Sequence, residues 1–423
     1  MNKEYKNLML YTLGRTVSSL GSIIYSFAIG LYVLNTTGSG MKFAITLLVS
    51  FLPSLILTPF AGVFADRFDK KKIVVNMDIL NGLLFVLFYI FITFNDISIL
   101  SVYVTTFITN VITSFFGIAF EAAKPQLVHK KHLQLINSLS QIIGSIANIL
   151  GPVIGGLVYA FIDIKSFILF NGISFILSAL SELFIDFEFN KRENEPTHDV
   201  KDVFKDLKDG FQYVIKQRSI MGMYIFFLSV NILISLAIQV PLPYILNNHL
   251  NVGSQAYGII FSCLPVGMIL GALTVGLVLK KISVNRLYLM IGISSGFLAA
   301  TIGLPYFLPG LVKTLASTMF YYGMIMLVFG SIISLVDVPF ATHLQRTVDP
   351  SYLGRVWGIL IPMIKVANPL GILLSGLLIE LINPFLIPLI VGMIYLVFSL
   401  IGKKYMITDI SDSQVQTEKI LTN

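Results

Sequence analysis

The sequence predicts an all-α polytopic membrane protein of twelve transmembrane helices, arranged as two six-helix pseudo-repeats. Three observations carry this reading. The 423 residues are 56% hydrophobic and only 12% charged, with a mean hydropathy of +0.84, more apolar surface than a soluble core of that length buries. Apolar stretches of the roughly 20 residues that a helix needs to cross the hydrocarbon layer recur from Leu8 to Leu400. The basic residues gather in alternate loops, as Lys and Arg do on the cytoplasmic side.

In order, the expected spans cover residues 8–34, 43–64, 73–94, 99–120, 136–160 and 165–187, then 219–245, 257–279, 287–308, 315–338, 356–379 and 384–402. They divide the chain into an N-terminal six-helix bundle (1–187), a cytoplasmic linker (188–218), a C-terminal six-helix bundle (219–402) and a cytoplasmic tail (403–423). In the linker, Val203, Phe204, Leu207, Phe211 and Val214 recur at helical spacing among Lys and Asp, the pattern of an amphipathic helix on the inner membrane surface. With both termini inside, the inner segments hold 24 of the 29 Lys and Arg, and the outer loops only Lys42, Lys165 and Lys313. The net charge of +7 is therefore a topology signal, and no nucleic-acid partner is expected. Lys3 and Lys6 before the first apolar run resemble the start of a signal peptide, but that run is too long and lacks an evident small-residue cleavage site, so it is expected to be retained.

The halves are related internally. Set without gaps, "IANILGPVIGGL" from Ile146 faces "VANPLGILLSGL" from Val366, pairing Asn148 with Asn368, Gly151 with Gly371 and Gly156 with Gly376. Spans five and eleven are thus repeat-related, and in transporters such a repeat places a site between two halves that rock against each other.

Between spans two and three, "GVFADRFDKKKIV" packs six charges into the seven positions Asp66 to Lys72. Gly62, Asp66, Arg67, Lys70 and Lys71 resemble the loop motif of the major facilitator superfamily, with Asp69 in place of the loop glycine. The finer texture resembles the macrolide-efflux and siderophore-export branch. Small Gly62 permits close helix approach, and Asp66 is placed to accept backbone N–H groups at another helix start, where the dipole favours an anion. The resemblance implies that this partner is span eleven, near Arg355, that Arg67 or Lys70 pairs with Glu121, and that these contacts form a cytoplasmic gate. Topology anchoring alone is the alternative for the lysines. Span five carries "GPVIGG", Gly151, Pro152, Gly155 and Gly156, which resembles the antiporter signature of drug exporters and implies a hinge or seal; generic helix packing is the alternative.

Charge inside a membrane is costly and marks function by default. Lys365, about 13 Å into span eleven at 1.5 Å per residue, and Arg15 in span one are candidates for the substrate cavity. The superfamily architecture implies that spans one, four, seven and ten line that cavity, which offers Tyr25, Phe27, Phe116, Asn231, Gln239 and Tyr321, a wall suited to a bulky amphipathic ligand. Asp78, Glu182 and Asp337 are the candidates for ion coupling. With Glu121 and Asp186 they fall within one or two turns of the inner face, where a solvated or helix-end setting is the ordinary expectation. Thr109 stands where many drug exporters carry an Arg, which leaves the usual proton-coupling arrangement in question.

No phosphate-binding Gly-rich loop with Lys and no His-Glu-x-x-His occurs, so no cofactor, no metal and no catalysis are expected. Cys263 is the only cysteine, which excludes an internal disulfide. The expected function is alternating-access export of small amphipathic compounds, a drug or antibiotic, by proton antiport in a bacterial-type plasma membrane, by a monomer surrounded by lipid. Two alternatives stay open: an exporter or flippase for an anionic substrate such as a siderophore or lysophospholipid, and a ligand-binding or scaffold protein that moves nothing.

Overall fold

The computed structural model describes residues 3–190, 212, 214, 217–282, 284–348 and 350–400. Among them regular structure is helical throughout. The first six helices are α1 Lys3–Thr37, α2 Gly40–Arg67, α3 Lys70–Phe94, α4 Ile99–Leu127, α5 Leu133–Phe161 and α6 Ile164–Leu183. Then come α7 Arg218–Ile234, α8 Ser254–Leu279, α9 Val284–Gly303, α10 Leu315–Thr347, α11 Pro350–Leu381 and α12 Leu386–Leu400. Each expected span coincides with one of these helices. Ten are long and apolar enough to cross a membrane, and the shorter apolar runs Ala367–Leu381 and Leu386–Leu400 belong to α11 and α12. The amphipathic pattern at 203–214 and the tail at 403–423 lie outside the described residues, apart from Val214.

Helix starts follow local chemistry. The carboxylate of Asp69 accepts the backbone N–H groups of Lys71 and Lys72 at the start of α3, and that of Asp163 accepts those of Lys165 and Ser166 at α6. Ser98 opens α4, and Thr314 opens α10 with a reciprocal bond to Ser317. Each cap satisfies donors that a helix N-terminus leaves open. Beyond Ile234, α7 continues irregularly: π-helical turns at Ser235–Gln239 and Ile245–His249 flank the helical Pro241–Tyr244. Pro241 and Pro243 lack an N–H and crowd the preceding turn, which widens the local hydrogen-bond pattern.

The helices carry apolar residues outward and polar ones inward, as lipid requires. On α3, Leu80, Leu83, Leu87, Ile90 and Phe94 are exposed, whereas Asp78, Asn81 and Phe85 on the opposite face are buried.

The chain forms two compact units: Met1–Gly38 with Ile45–Val200 and Gly253–Ser262, and Ser39–Ala44 with Lys201–Val252 and Cys263–Asn423. The first turns of α8 thus belong to the first unit and the start of α2 to the second. Inside each unit, glycines mark repeat-related helix crossings. In the first, a Cβ on Gly151 would collide with Ile23 of α1, and one on Gly156 with the carbonyl of Ser254 of α8. In the second, a Cβ on Gly371 would collide with Ser235, in the continuation of α7, and one on Gly376 would lie 2.6 Å from Ala44 Cβ of α2. Crossing α3 with α6 puts a Gly82 Cβ 2.8 Å from the Gly172 carbonyl, and crossing α9 with α12 puts a Gly296 Cβ 2.9 Å from the Gly392 carbonyl. The internal sequence repeat is thereby matched in three dimensions.

Candidate functional site: buried carboxylates and an ion network in the first unit

In the first unit, α1, α3 and α6 enclose a polar cluster. Gly14 and Ser18 lie one turn apart on α1, Ser178 and Glu182 one turn apart on α6, and Asp78 on α3; residues four apart share a helix face. Ser18 Oγ donates to Asp78 Oδ2 at 2.7 Å and lies 3.0 Å from Ser178 Oγ. Ser178 Oγ is 3.2 Å from the Gly14 carbonyl and 3.4 Å from Glu182 Oε1. Asp78 is 1% exposed and Glu182 fully buried, with Glu182 Oε2 lacking a hydrogen-bond partner among the described residues. Gly14 makes the room, since a Cβ there would sit 3.0 Å from Glu182 Oε1.

These two acids depart from the expected solvated setting. Nearness to a helix end did not expose them, because both point sideways into the α1 contact. Asp186 is the contrasting case: it is partly exposed and pairs with Lys3 at 3.7 Å.

Beside the cluster, Glu121 on α4 gathers two cations among the described residues. Arg15 reaches Glu121 Oε1 at 3.5 Å, Lys124 pairs with Oε2, and Ser140 of α5 donates at 3.2 Å. Lys124 is buried while Glu121 is half exposed, so the carboxylate is the buried ammonium's route to compensation. The network joins Glu121, expected at the gate, to Arg15, expected in the cavity. Asp69 caps α3, and Lys70 is buried. Gly62, Asp66 and Arg67 fall in α2, and Arg355 and Lys365 in α11; their side chains lie outside the described residues.

The N-terminus of α1 is clasped to the segments that follow α4 and α6, by Glu4 and Asn7, which drew no attention in the sequence, and by His129 and His132, which read there as a hydrated surface pair. Glu4 Oε1 accepts His129 N–H and contacts His132 Nδ1, both at 2.8 Å, and Asn7 Nδ2 donates to the carbonyls of Leu127 and Asp186.

The expected cavity residues scatter. Tyr25 is buried with its hydroxyl 3.2 Å from Thr106 Oγ1 and its ring edge-on to Phe85, and Phe116 packs on Phe120. Both are core residues of the first unit. Phe27 stacks on Tyr257 at 4.9 Å, beside Gly155, where a Cβ would come within 2.9 Å of its ring. In the second unit Tyr321 donates at 2.6 Å to the Thr301 carbonyl of α9, and Asn231 Nδ2 to the Phe227 carbonyl of its own helix. Gln239, in the π-helical turn, keeps Oε1 buried without a partner among the described residues. Asp337 is half-buried on α10. Coupling candidates thus separate, with Asp78 and Glu182 in one cluster and Asp337 in the other unit. Ser18 and Ser178 were missed because serines are ordinary in membrane helices; the available signal was Ser178 one turn before an intramembrane Glu.

Twelve apolar helices in a pseudo-repeat, with a charged turn after the second, describe a transporter architecture, and the family comparison decides which. The model described as Major Facilitator Superfamily matches residues 11–364. The chain belongs to that family. Macrolide efflux protein A of Streptococcus pyogenes is 23% identical over 400 residues, covering 89% of this chain and 91% of that protein. The uncharacterized MFS-type transporter YfiS of Bacillus subtilis (strain 168) is 26% identical over 424 residues, covering 95% and 94%. Among solved structures, the nucleoside transporter NupG superposes with a TM-score of 0.71 at 14% identity, covering 97% of this chain and 99% of that one. At that identity the likeness shows the fold. The protein is thus a multi-pass membrane transporter of the Major Facilitator Superfamily, a family whose members take small-molecule substrates.

Proposed function

We propose that this transporter exports small amphipathic compounds, macrolide-like drugs or antibiotics, by alternating access as a proton antiporter. The observation that carries the reading is similarity to Macrolide efflux protein A along 89% of the chain. It acts as a monomer in a bacterial plasma membrane with both termini in the cytoplasm, an orientation supported by the gathering of basic residues in alternate loops. It works without catalysis or cofactor.

The parts take these roles. Asp66, Arg67, Lys70 and Arg355 close the cytoplasmic gate, with Asp69 holding the start of α3 and Glu121 linking the gate to Arg15. Gly151, Pro152, Gly155 and Gly156 let α5 pivot against α1 and α8. Asn231 and Gln239 on α7 offer amides to a largely apolar ligand, and loose aromatic packing supplies the rest. Asp337 is the proton carrier, a half-buried carboxylate without a described basic partner. The anionic-substrate reading needs both Arg15 and Lys365, and Arg15 is already committed to Glu121.

Retention of a macrolide, a cationic dye, a siderophore and a lysophospholipid, measured in cells expressing the protein with and without collapse of the proton gradient, tests the proposal. Lower retention of the macrolide or dye, reversed by collapse, is expected. Export confined to the siderophore or lysophospholipid and lost in Lys365→Glu favours the anionic reading. No change for any compound, with the protein present in the membrane, favours the non-transporting one.

A further inference from the structure

The cluster between α1, α3 and α6 has more oxygen than hydrogen. Five oxygens converge, Asp78 Oδ2, Ser18 Oγ, Ser178 Oγ, the Gly14 carbonyl and Glu182 Oε1, and the second Glu182 oxygen is buried beside them. A carboxylate and a carbonyl only accept, and each serine brings one hydrogen. The Ser18 hydrogen goes to Asp78. Ser178 has one hydrogen for the Gly14 carbonyl, Glu182 Oε1 and Ser18 Oγ. Glu182 Oε2, fully buried, has none. A buried oxygen left in this condition calls for an unseen water or ion.

The charge count selects among ions. Arg15 lies near enough for its charge to act on both carboxylates, yet it also faces Glu121, which Lys124 shares. With both buried carboxyls ionised, Arg15 and Lys124 against Glu121, Asp78 and Glu182 leave one negative charge among the described residues, in a membrane interior that tolerates charge poorly. A single positive charge brings the group to neutrality, and a divalent ion overshoots it. Hard oxygen donors suit an alkali cation rather than a soft metal, and because the ion must replace the 2.7 Å Ser18–Asp78 and 3.4 Å Ser178–Glu182 hydrogen bonds, a small one displaces the packed helices least. We propose that Ser18, Asp78, Ser178, Glu182 and the Gly14 carbonyl bind one Na+.

This site lies within one unit and is separate from the proposed drug path and from Asp337. A failure here therefore leaves the export reading standing, since the test uses no transported compound. The purified full-length protein is heated in NaCl, KCl or choline chloride at equal ionic strength and constant near-neutral pH, and radiolabelled Na+ binding is measured in parallel. A ligand that binds only the folded state raises the unfolding midpoint with concentration. The expected result is saturable Na+ binding and a rise of a few degrees in Na+ alone, both lost in Asp78→Asn and Glu182→Gln, weakened in Ser178→Ala and kept in the exposed control Asp96→Asn. Should the carboxylate variants not fold, Ser178→Ala and the wild-type binding isotherm decide. The proposal is overturned if the wild type binds no Na+ above background, if the shift survives in the carboxylate variants, or if acidification stabilises the protein fully without Na+, which would make the occupant a proton.

Discussion

Asp69 shows how one residue reconciles a departure from a family motif with its structure. The resemblance places glycine in this loop, but the backbone here has φ −60° and ψ 113°, which any residue adopts, and the side chain caps α3 instead. Asp69→Gly is expected to cost a few tenths of a kcal/mol and Asp69→Ala about 1 kcal/mol, read as unfolding midpoints in detergent. Glu121 makes a sharper case, because its removal strands a buried cation. Glu121→Gln should destabilise by about 1–3 kcal/mol, and Lys124→Met by less, since that change leaves the half-exposed Glu121 in contact with Arg15 and water. Equal losses would mean that the pair is a surface contact of no special weight. Lys124 was legible as a helix neighbour three residues from Glu121, whereas Arg15 is over a hundred residues away and only the packing of α1 on α4 brings it there; the expected mate Arg67 has its side chain outside the described residues.

Helix existence was legible because lipid leaves few options: backbone groups must bond within the segment, so hydropathy and length mark each span. Helix facing was less so. Tyr25 and Phe116 have the composition of a binding wall, yet they fill the core, because an aromatic residue every few positions suits lipid, core and cavity alike. Glycine was ambiguous in the same way until its neighbours were known. On α5 alone, Gly156 abuts the Ser254 carbonyl, whereas Gly144 has nothing within 4 Å of an added Cβ. Gly144→Ala should therefore be neutral or stabilise by up to about 1 kcal/mol. Gly156→Val should push α5 from α8, lowering both thermal stability and transport. Comparable behaviour of the two variants in parallel unfolding and transport assays would remove the basis for calling Gly156 a seal.

At the level of the whole molecule, the pseudo-repeat read from two short segments reappears as paired crossings: Gly151 with Gly371, Gly156 with Gly376, and Gly82–Gly172 with Gly296–Gly392. Similarity of residues was enough to find spans five and eleven. Gly172 and Gly392 keep the same spacing as the first two pairs, whereas Gly82 and Gly296 do not, and which glycines meet shows only in space. The acidic cluster breaks the symmetry, as Lys365 does against Ser145. Export driven by protons is tested without the complications of a living cell by reconstituting the purified protein into liposomes with an acidic lumen and following a macrolide or cationic dye. Antiport predicts accumulation inside the liposomes while the gradient lasts, release when an ionophore dissipates it, and loss of accumulation in Asp337→Asn with ligand binding retained. Binding without accumulation under any imposed gradient would contradict the transporter mechanism proposed for this chain.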